Sequence, residues 1–193
     1  MTPTRDDERF EPLTPELWDD LELLFGERGA CGGCWCMAPR LTRSEFERGK
    51  GDANRDALRA LVMSGRIPGL LAYHGDEPVA WVAIEPREVF GRLARSRIHA
   101  PVDDAPVWSV VCLFLRKDQR RGGLSTRLLR AAVEHVRGRG GPRIVEGYPF
   151  DLSGPALPDA FVWTGLLASF ERAGFREVAR RSRTRPIVRL ELS

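Results

Sequence analysis

The residues best suited to bind a ligand form a basic turn that contains two glycines. This turn, Arg120–Ser125, follows a strongly apolar stretch and precedes an amphipathic one. Glycines let backbone N–H groups approach a ligand closely, and at a helix N-terminus those donors and the helix dipole favour an anion. The turn therefore predicts a phosphate or pyrophosphate site, in preference to a turn that only caps a helix. It lacks the Lys-Ser/Thr of a nucleoside-triphosphate loop and the three glycines of the dinucleotide fingerprint.

Candidates for proton transfer lie further along the chain. Glu146 and Tyr148 alternate within Arg143–Tyr148, so a strand would place both side chains on one face. Glu146 is the candidate general base, because desolvation in a cleft makes a carboxylate accept a proton more readily. The alternative is that Glu146 pairs with an arginine on a solvated strand. His74 and His99 are expected to be surface or hydrogen-bonded histidines rather than catalysts.

A third cluster of reactive side chains is the segment that holds Cys31, Cys34 and Cys36. Closely spaced thiolates suit Zn²⁺, but a structural zinc site needs four ligands, and the remaining cysteine and histidines are scattered. A metal site and a redox role stay open, and a metal-free packing role is favoured. Trp35 and Met37 in the same segment are expected either to face a substrate or to join the core.

The basic turn, in its strand–turn–helix setting, resembles the Arg/Gln-x-x-Gly-x-Gly/Ala signature of the GNAT acyltransferase superfamily. In that superfamily the turn binds the pyrophosphate of acetyl-coenzyme A. Arg120 and Gly123 match the signature, and Ser125 stands at the last small position. The resemblance implies an oxyanion donor in the backbone near Leu113. The implied cofactor-binding residues are Leu113, Phe114, Leu115, Arg120, Arg121, Gly122, Gly123, Leu124, Ser125 and Thr126.

The position of the usual catalytic acid differs from the family pattern. Many family members carry a tyrosine four residues before a Gly-Phe pair, as the acid for the coenzyme thiolate. Here that pair is Gly174–Phe175, and Phe170 occupies the tyrosine position. The role of the acid is therefore left to water, to Tyr148 or to the weakly acidic Ser169. The catalytic candidates are Glu146, Tyr148 and Ser169.

Two functions are compatible with these motifs. The first is an acetyl-CoA-dependent N-acetyltransferase that moves the acetyl group directly to the amine of a small molecule. The alternative is an acyl-CoA-binding module whose catalysis has decayed and whose cysteine-rich segment serves as a sensor or interaction surface. The intact turn supports both, and the missing tyrosine favours the second. The sequence does not identify the acceptor.

The elements that would position these residues follow the order β-α-α-β-β-β-α-β-α-β-β. The resemblance implies the GNAT fold for this α/β pattern, a mixed sheet whose central strands splay around the cofactor. Strands are predicted at Arg9–Leu13, Leu70–His74, Pro78–Ile84, Val107–Leu115, Arg143–Tyr148, Glu177–Arg183 and Ile187–Leu192. Helices are predicted from Thr14 to Phe25, over Asp52–Ser64, from Leu124 until Gly138 and over Thr164–Ala173. Between the last two helices, 149–163 is predicted to be a stiff loop lined by aromatic side chains.

Composition indicates one domain over residues 1–193, with a loose tail at 1–8. The 193 residues are 42% hydrophobic and 30% charged, with a net charge of only +3, as in an ordinary globular protein. No dense basic run favours nucleic acid, and no apolar run is long enough to cross a membrane. Without a secretory signal at the N-terminus, the protein is expected to be cytoplasmic with reduced thiols. A homodimer is left open.

Overall fold

The computed structural model describes residues 7–152 and 162–192, and its centre is one mixed sheet. The seven strands are β1 (Glu8–Pro12), β2 (Gly69–His74), β3 (Glu77–Pro86), β4 (Trp108–Leu115), β5 (Ile144–Gly147), β6 (Arg176–Arg180) and β7 (Pro186–Glu191). They lie in the order β1-β2-β3-β4-β5-β7-β6. Only the central pair β4–β5 is parallel, and the other neighbours run antiparallel. The predicted α/β fold with a mixed sheet is confirmed.

Helices cover both faces of this sheet. They are α1 (Trp18–Phe25), α2 (Arg43–Arg48), α3 (Asp52–Met63), α4 (Gly91–Ala94), α5 (Leu124–Arg137) and α6 (Leu167–Ala173). On one face α5 buries Leu128, Leu129 and Val133 in an apolar cluster with the sheet. On the other face, α1 and α3 bury Leu21 and Leu58 in a second cluster. Among the described residues, no helix has the length and apolar character needed to cross a membrane.

The two central strands separate where the resemblance placed the cofactor. β4 and β5 pair only through Trp108–Val145, Ser109–Glu146 and Val110–Gly147. β5 ends at Gly147, whereas β4 continues to Leu115. The last part of β4 therefore has no β5 partner, and its backbone groups on that side can pair with another chain or a ligand. This is the predicted splay.

Two differences from the predicted elements have local causes. Thr164 was expected to cap α6, but α6 begins at Leu167, and the Thr164 hydroxyl is buried without a hydrogen-bond partner among the described residues. Gly165 lies between them with φ of +85°, a left-handed conformation that breaks the helical path. The sequence analysis also missed α2, which a capping box between Thr42 and Glu45 stabilises. Residues 1–6 and 153–161, which include most of the predicted tail and much of the predicted loop, lie outside the described residues.

The cysteine-rich segment is folded into the core. Trp35 is stacked on Trp18 at 6.3 Å between ring centroids and is tilted against Phe25 at 5.6 Å. Its φ of 43° is in the left-handed region, as is the φ of 55° at Cys36. Trp35 and Met37 are both buried, so the core alternative holds for them.

The three thiols in this segment differ in their surroundings. Cys31 is exposed, whereas Cys36 is buried and accepts a hydrogen bond from the Trp81 indole at 3.3 Å. Burial raises the pKa of the Cys34 thiol to about 11. Within the described residues, no three Cys, His, Asp or Glu side chains are grouped as a metal site requires. A metal-free packing role remains the prediction for this segment.

Candidate active site

The basic turn joins β4 to α5 through two left-handed residues. Arg121 has φ of 66° and Gly123 has φ of 78°. A left-handed arginine is uncommon, and such conformations concentrate at ligand-binding segments. Alternating left-handed residues aim successive N–H groups into one concavity. The first N–H groups of α5, at Leu124 and Ser125, have no partner inside the helix. The turn thus has the backbone geometry of an anion site.

Other predicted cofactor residues hold this turn in place. Leu124 and Thr126 are buried. The Ser125 hydroxyl lies 3.0 Å from the Ser169 hydroxyl, and the Thr126 hydroxyl donates to the Ser169 carbonyl at 3.4 Å. Ser169 therefore anchors α6 to the start of α5. The structure places it beside the turn and does not bring it into contact with Glu146 or Tyr148.

The end of β4 presents its backbone to the splay, but one key group is already bonded. The Leu113 N–H donates to the Trp163 carbonyl at 2.7 Å. The Leu115 carbonyl accepts a hydrogen bond from Arg120 Nε at 3.1 Å. Phe114 projects to the other side, where its ring meets Phe25 edge-on at 5.5 Å. The implied oxyanion donor at Leu113 is thus not available in this conformation, because Trp163 lies in the splay as a third strand would.

Glu146 lies in a buried ion network. Its carboxylate is 1% exposed and accepts from Arg87 at 2.9 Å on one oxygen and from Arg189 at 2.7 Å on the other. Arg189 also pairs with Asp103 at 2.6 Å. The arginine pairing considered from the sequence is therefore present, but in a buried site and with two guanidinium groups. Both oxygens are engaged by guanidinium groups, and these favour the charged form of the carboxylate over one that has taken a proton from an amine.

Tyr148 completes the network from the same face of the sheet, as predicted. Its hydroxyl donates to Glu146 at 2.6 Å and lies 2.9 Å from the Ser109 hydroxyl. Arg87 donates to the same hydroxyl at 2.6 Å. Burial, and then the adjacent Glu146 charge, raise the pKa of Tyr148 far above its ordinary value. The hydroxyl is thus a poor proton donor in this network.

Phe170, at the family's usual tyrosine position, belongs to the core. Its side chain is fully buried and contacts Phe175 edge-on at 5.1 Å. A Cβ atom added to Gly147 would lie only 2.2 Å from the Phe170 ring, so β5 passes directly against it. The ring fills space between α6 and the sheet and cannot supply a proton.

A pocket of about 200 Å³ lies beside the splay, on the sheet face opposite α5. Val111 on β4 and Tyr148, which directly follows β5, line the pocket, and Trp163 borders it next to Leu113. Its lining consists of Pro39, Arg92, Leu93, Ser96, Ile98, His99, Val111, Tyr148, Trp163, Thr164 and Arg185. The pocket is therefore adjacent to the strand end along which the resemblance places the coenzyme arm.

His99 borders this pocket and differs from the satisfied histidine expected from the sequence. Its ring lies 5.0 Å from the Tyr148 ring, and its carbonyl accepts a hydrogen bond from Arg87. Nε2 is buried and has no hydrogen-bond partner within the described residues. Burial, and then the positive charge of Arg185, lower the pKa of His99 to about 4. At neutral pH the ring is uncharged, and it is a weak proton acceptor unless a bound ligand offsets the surrounding positive charge. His74, in contrast, is paired with Glu8 at 2.9 Å.

The lowered histidine pKa values predict loss of stability on mild acidification. Burial lowers the pKa of both His99 and His135 from 6.5 to about 4. The unfolded chain binds these protons below pH 6.5 but the folded chain does not, so stability is complete above that pH and falls between pH 6.5 and 4. Urea unfolding at pH 7.5, 5.5 and 4.5 measures this fall. His135→Gln, which is outside the pocket, should flatten it. An unchanged slope in that variant would contradict the buried, neutral His135.

These features define a class of protein before any comparison. It is an α/β protein with a splayed central strand pair, a turn suited to an anion and a pocket beside the splay. Acyl transfer from a coenzyme thioester to a small molecule needs such an arrangement. Residues 35–148 match the model of the acetyltransferase (GNAT) family. Because the match covers more than half of the chain, the protein belongs to the GNAT acetyltransferase family and is an acetyltransferase. That family uses acetyl-CoA.

Solved structures share the fold at low sequence identity. A GNAT-family protein from Desulfovibrio desulfuricans is 17% identical, with a TM-score of 0.53 over 96% of this chain and 99% of the other. PaiA N-acetyltransferase from Thermoplasma acidophilum, in complex with coenzyme A, is 11% identical, with a TM-score of 0.54 over 95% and 98%. Drosophila melanogaster polyamine N-acetyltransferase, which forms N-acetylagmatine, is 12% identical, with a TM-score of 0.57 over 96% and 100%. No curated protein matches the chain.

Proposed function

We propose that the protein transfers the acetyl group of acetyl-CoA to the amine of a small molecule bound in the pocket beside His99. The observation that carries this proposal is the position of the pocket. Val111 on β4 and Tyr148, which directly follows β5, line it where those strands part, and it borders the backbone of β4 near Leu113. A thioester held along the end of β4 and an amine held in the pocket would meet there.

The anion turn supports acetyl-CoA as the donor. Arg121 and Gly123 in left-handed conformations and the N-terminus of α5 suit a pyrophosphate. The main chain of Leu113 and Leu115 is the proposed partner of the coenzyme arm. Binding of that arm at Leu113 would require the Trp163 carbonyl to give up its hydrogen bond. The Leu113 N–H would then be free to stabilise the oxyanion.

The proposed chemistry is direct transfer. The amine nitrogen attacks the thioester carbon, the new C–N bond replaces the C–S bond, and the electron pair leaves with sulfur. The nitrogen loses its proton to the neutral His99 ring, directly or through one water, and the thiolate takes a proton from water, since Phe170 cannot supply one. Tyr148 is proposed to position His99 through contact between the two rings. Glu146 is proposed to do so through Arg87, which donates to both the Glu146 carboxylate and the His99 carbonyl. Ser169 is proposed to position the turn.

Replacement of Gly123 by valine is expected to weaken coenzyme A binding at least about 100-fold. A β-branched residue is strongly disfavoured at φ of 78°, so the turn would change its path and misdirect its amides. Calorimetric titration with coenzyme A measures the affinity. Gly122→Ala is the matched control, since Gly122 is not left-handed and its added Cβ would meet nothing within 4 Å.

Circular dichroism should show near-native helix and strand content for both variants. Unchanged coenzyme A affinity in Gly123→Val would remove the turn from the binding site. Arg120→Ala should weaken binding less than Gly123→Val, because the backbone donors remain. The cytoplasmic location, the single domain over 1–193, and the absence of nucleic-acid and membrane partners stay predictions of the sequence.

A further inference from the structure

The pocket beside His99 contains polar groups that the protein itself does not satisfy. Eight buried side-chain nitrogen or oxygen atoms lack a hydrogen-bond partner among the described residues. Three of them belong to residues that line this one pocket: His99 Nε2, Thr164 Oγ1 and Arg185 Nε. Buried polar groups in proteins are normally hydrogen-bonded. These three atoms are closed to water in this structure. They could therefore bond a ligand in the pocket only after the side chains that carry them turn towards it.

The charge of the pocket specifies the sign of that ligand. Arg92 and Arg185 both line it, and within the described part of the chain neither has a carboxylate at ion-pair distance. Arg185 is partly buried, with its guanidinium over the Phe150 ring at 3.9 Å, and donates to the Tyr148 carbonyl at 3.2 Å. Burial and then the charge of Arg92 lower its pKa to about 10, so it is still charged at neutral pH. The pocket therefore holds uncompensated positive charge.

Surrounding residues increase this positive field. The positive charges of Arg87 and Arg181 also lower the pKa of His99. Arg181 donates to the carbonyls of Ala100 and Pro101, at 3.0 Å in the second case, and not to a carboxylate. Glu146 and Asp103 are both paired with Arg189.

We propose that the acceptor is a small amine that also carries a carboxylate, such as an amino acid, and that Arg185 and Arg92 bind the carboxylate. This rests on the proposed function and adds the substrate class. A guanidinium binds a carboxylate through two parallel N–H donors. The amine would then lie next to His99 and Val111, which also line the pocket.

The carboxylate of the acceptor would also help to activate the amine. Without it, the positive charge around His99 disfavours protonation of the ring. The carboxylate, once bound, offsets the positive charge around His99 and makes its ring a better proton acceptor. A cationic amine without a carboxylate, such as agmatine, would instead meet repulsion from Arg92 and Arg185.

Size and lining limit the rest of the acceptor. The pocket, at about 200 Å³, is smaller than the roughly 300–1,000 Å³ of sites for drug-sized ligands. Its non-polar wall is formed by Pro39, Leu93, Ile98, Val111 and Trp163. An amino acid with an apolar side chain fits both the volume and this wall.

The test compares matched amines by coenzyme A release and by binding. Leucine, phenylalanine and glycine are each assayed beside the corresponding α-amide, with agmatine as the cationic probe. The acid is expected to exceed its amide about 10- to 100-fold in kcat/KM, the range for a hydrogen bond to a charged group. Arg185→Gln and Arg92→Gln should each remove most of this preference through KM. Arg59→Gln, an exposed arginine on α3, is the control.

Binding without turnover separates this inference from the proposed function. The midpoint temperature of thermal unfolding of the wild type should rise with phenylalanine and not with its amide. The rise should be lost in Arg92→Gln, whose unliganded midpoint should equal that of the wild type because the Arg92 side chain is exposed. Equal stabilisation by the acid and its amide, or faster turnover of agmatine than of the amino acids, would overturn the carboxylate assignment even if acetyl transfer is observed. Stabilisation by phenylalanine without acetylation of any amine would support the carboxylate site and contradict the acetyltransfer.

Discussion

Replacement of His99 by glutamine is expected to lower kcat by roughly 10²–10⁴-fold, the range for loss of a positioned proton acceptor. Glutamine keeps the size and polarity of the side chain but cannot accept a proton from the amine. The KM for acetyl-CoA should change little, because the anion turn at Arg120–Ser125 is at the other end of the splay. The rate is measured as coenzyme A thiol release in the presence of the best amine of the acid–amide panel.

His135→Gln is the matched control for this variant. His135 is also partly buried with its pKa lowered to about 4, but it lies in the last turn of α5, away from the pocket. It should therefore reproduce any general effect of losing a neutral histidine. If kcat falls equally in both variants, or by less than about threefold in His99→Gln, His99 is not the base.

Replacement of Glu146 by glutamine is expected to destabilise the fold by about 3–5 kcal/mol. The carboxylate is 1% exposed and pairs with two guanidinium groups, so removing its charge leaves Arg87 and Arg189 facing a neutral amide in a dry site. Breaking a buried ion pair by removing one partner has this magnitude. Urea unfolding at pH 7.5 measures the free energy of unfolding.

Asp103→Asn is the control, because it removes another carboxylate from the same Arg189. Asp103 is 50% exposed, and its loss should cost far less stability than the loss of the buried Glu146 carboxylate, because exposed ion pairs contribute little. The two variants also separate the roles of Glu146. If Glu146 were the base, Glu146→Gln would lower kcat by roughly 10²–10⁴-fold and leave the stability nearly native. The buried network predicts the reverse order of effects, with stability lost first and activity lowered as His99 and Tyr148 lose their support.

The anion turn and its flanking elements could be predicted because their signals are local. An apolar run marks β4, glycines mark the turn, and an apolar stripe marks α5, so each element is recognisable within a few neighbouring residues. The left-handed φ of Gly174 at the end of α6 follows from the same kind of local rule. The resemblance then supplied the mixed sheet with splayed central strands, which local patterns alone do not fix.

The pocket could not be predicted because its contacts are distant in sequence. Glu146 takes its partners from Arg87 and Arg189, which are 59 and 43 residues away. His99 lies in an arginine-rich segment without helical or strand periodicity, so nothing in the pattern separates it from a surface histidine. The hydrogen bond from the Leu113 N–H to the Trp163 carbonyl joins two residues that are far apart in sequence, so no local pattern indicates it.

The amount of acetylated amine formed for each coenzyme A thiol released tests the central claim most directly. Wild-type protein given acetyl-CoA and the amino acid panel should form one acetylated amine, identified by mass spectrometry, for each thiol released. Gly123→Val should raise the KM for acetyl-CoA, whereas His99→Gln should lower kcat. Thiol release without any acetylated amine, or rates that neither variant changes, would contradict acetyl transfer between the anion turn and the His99 pocket.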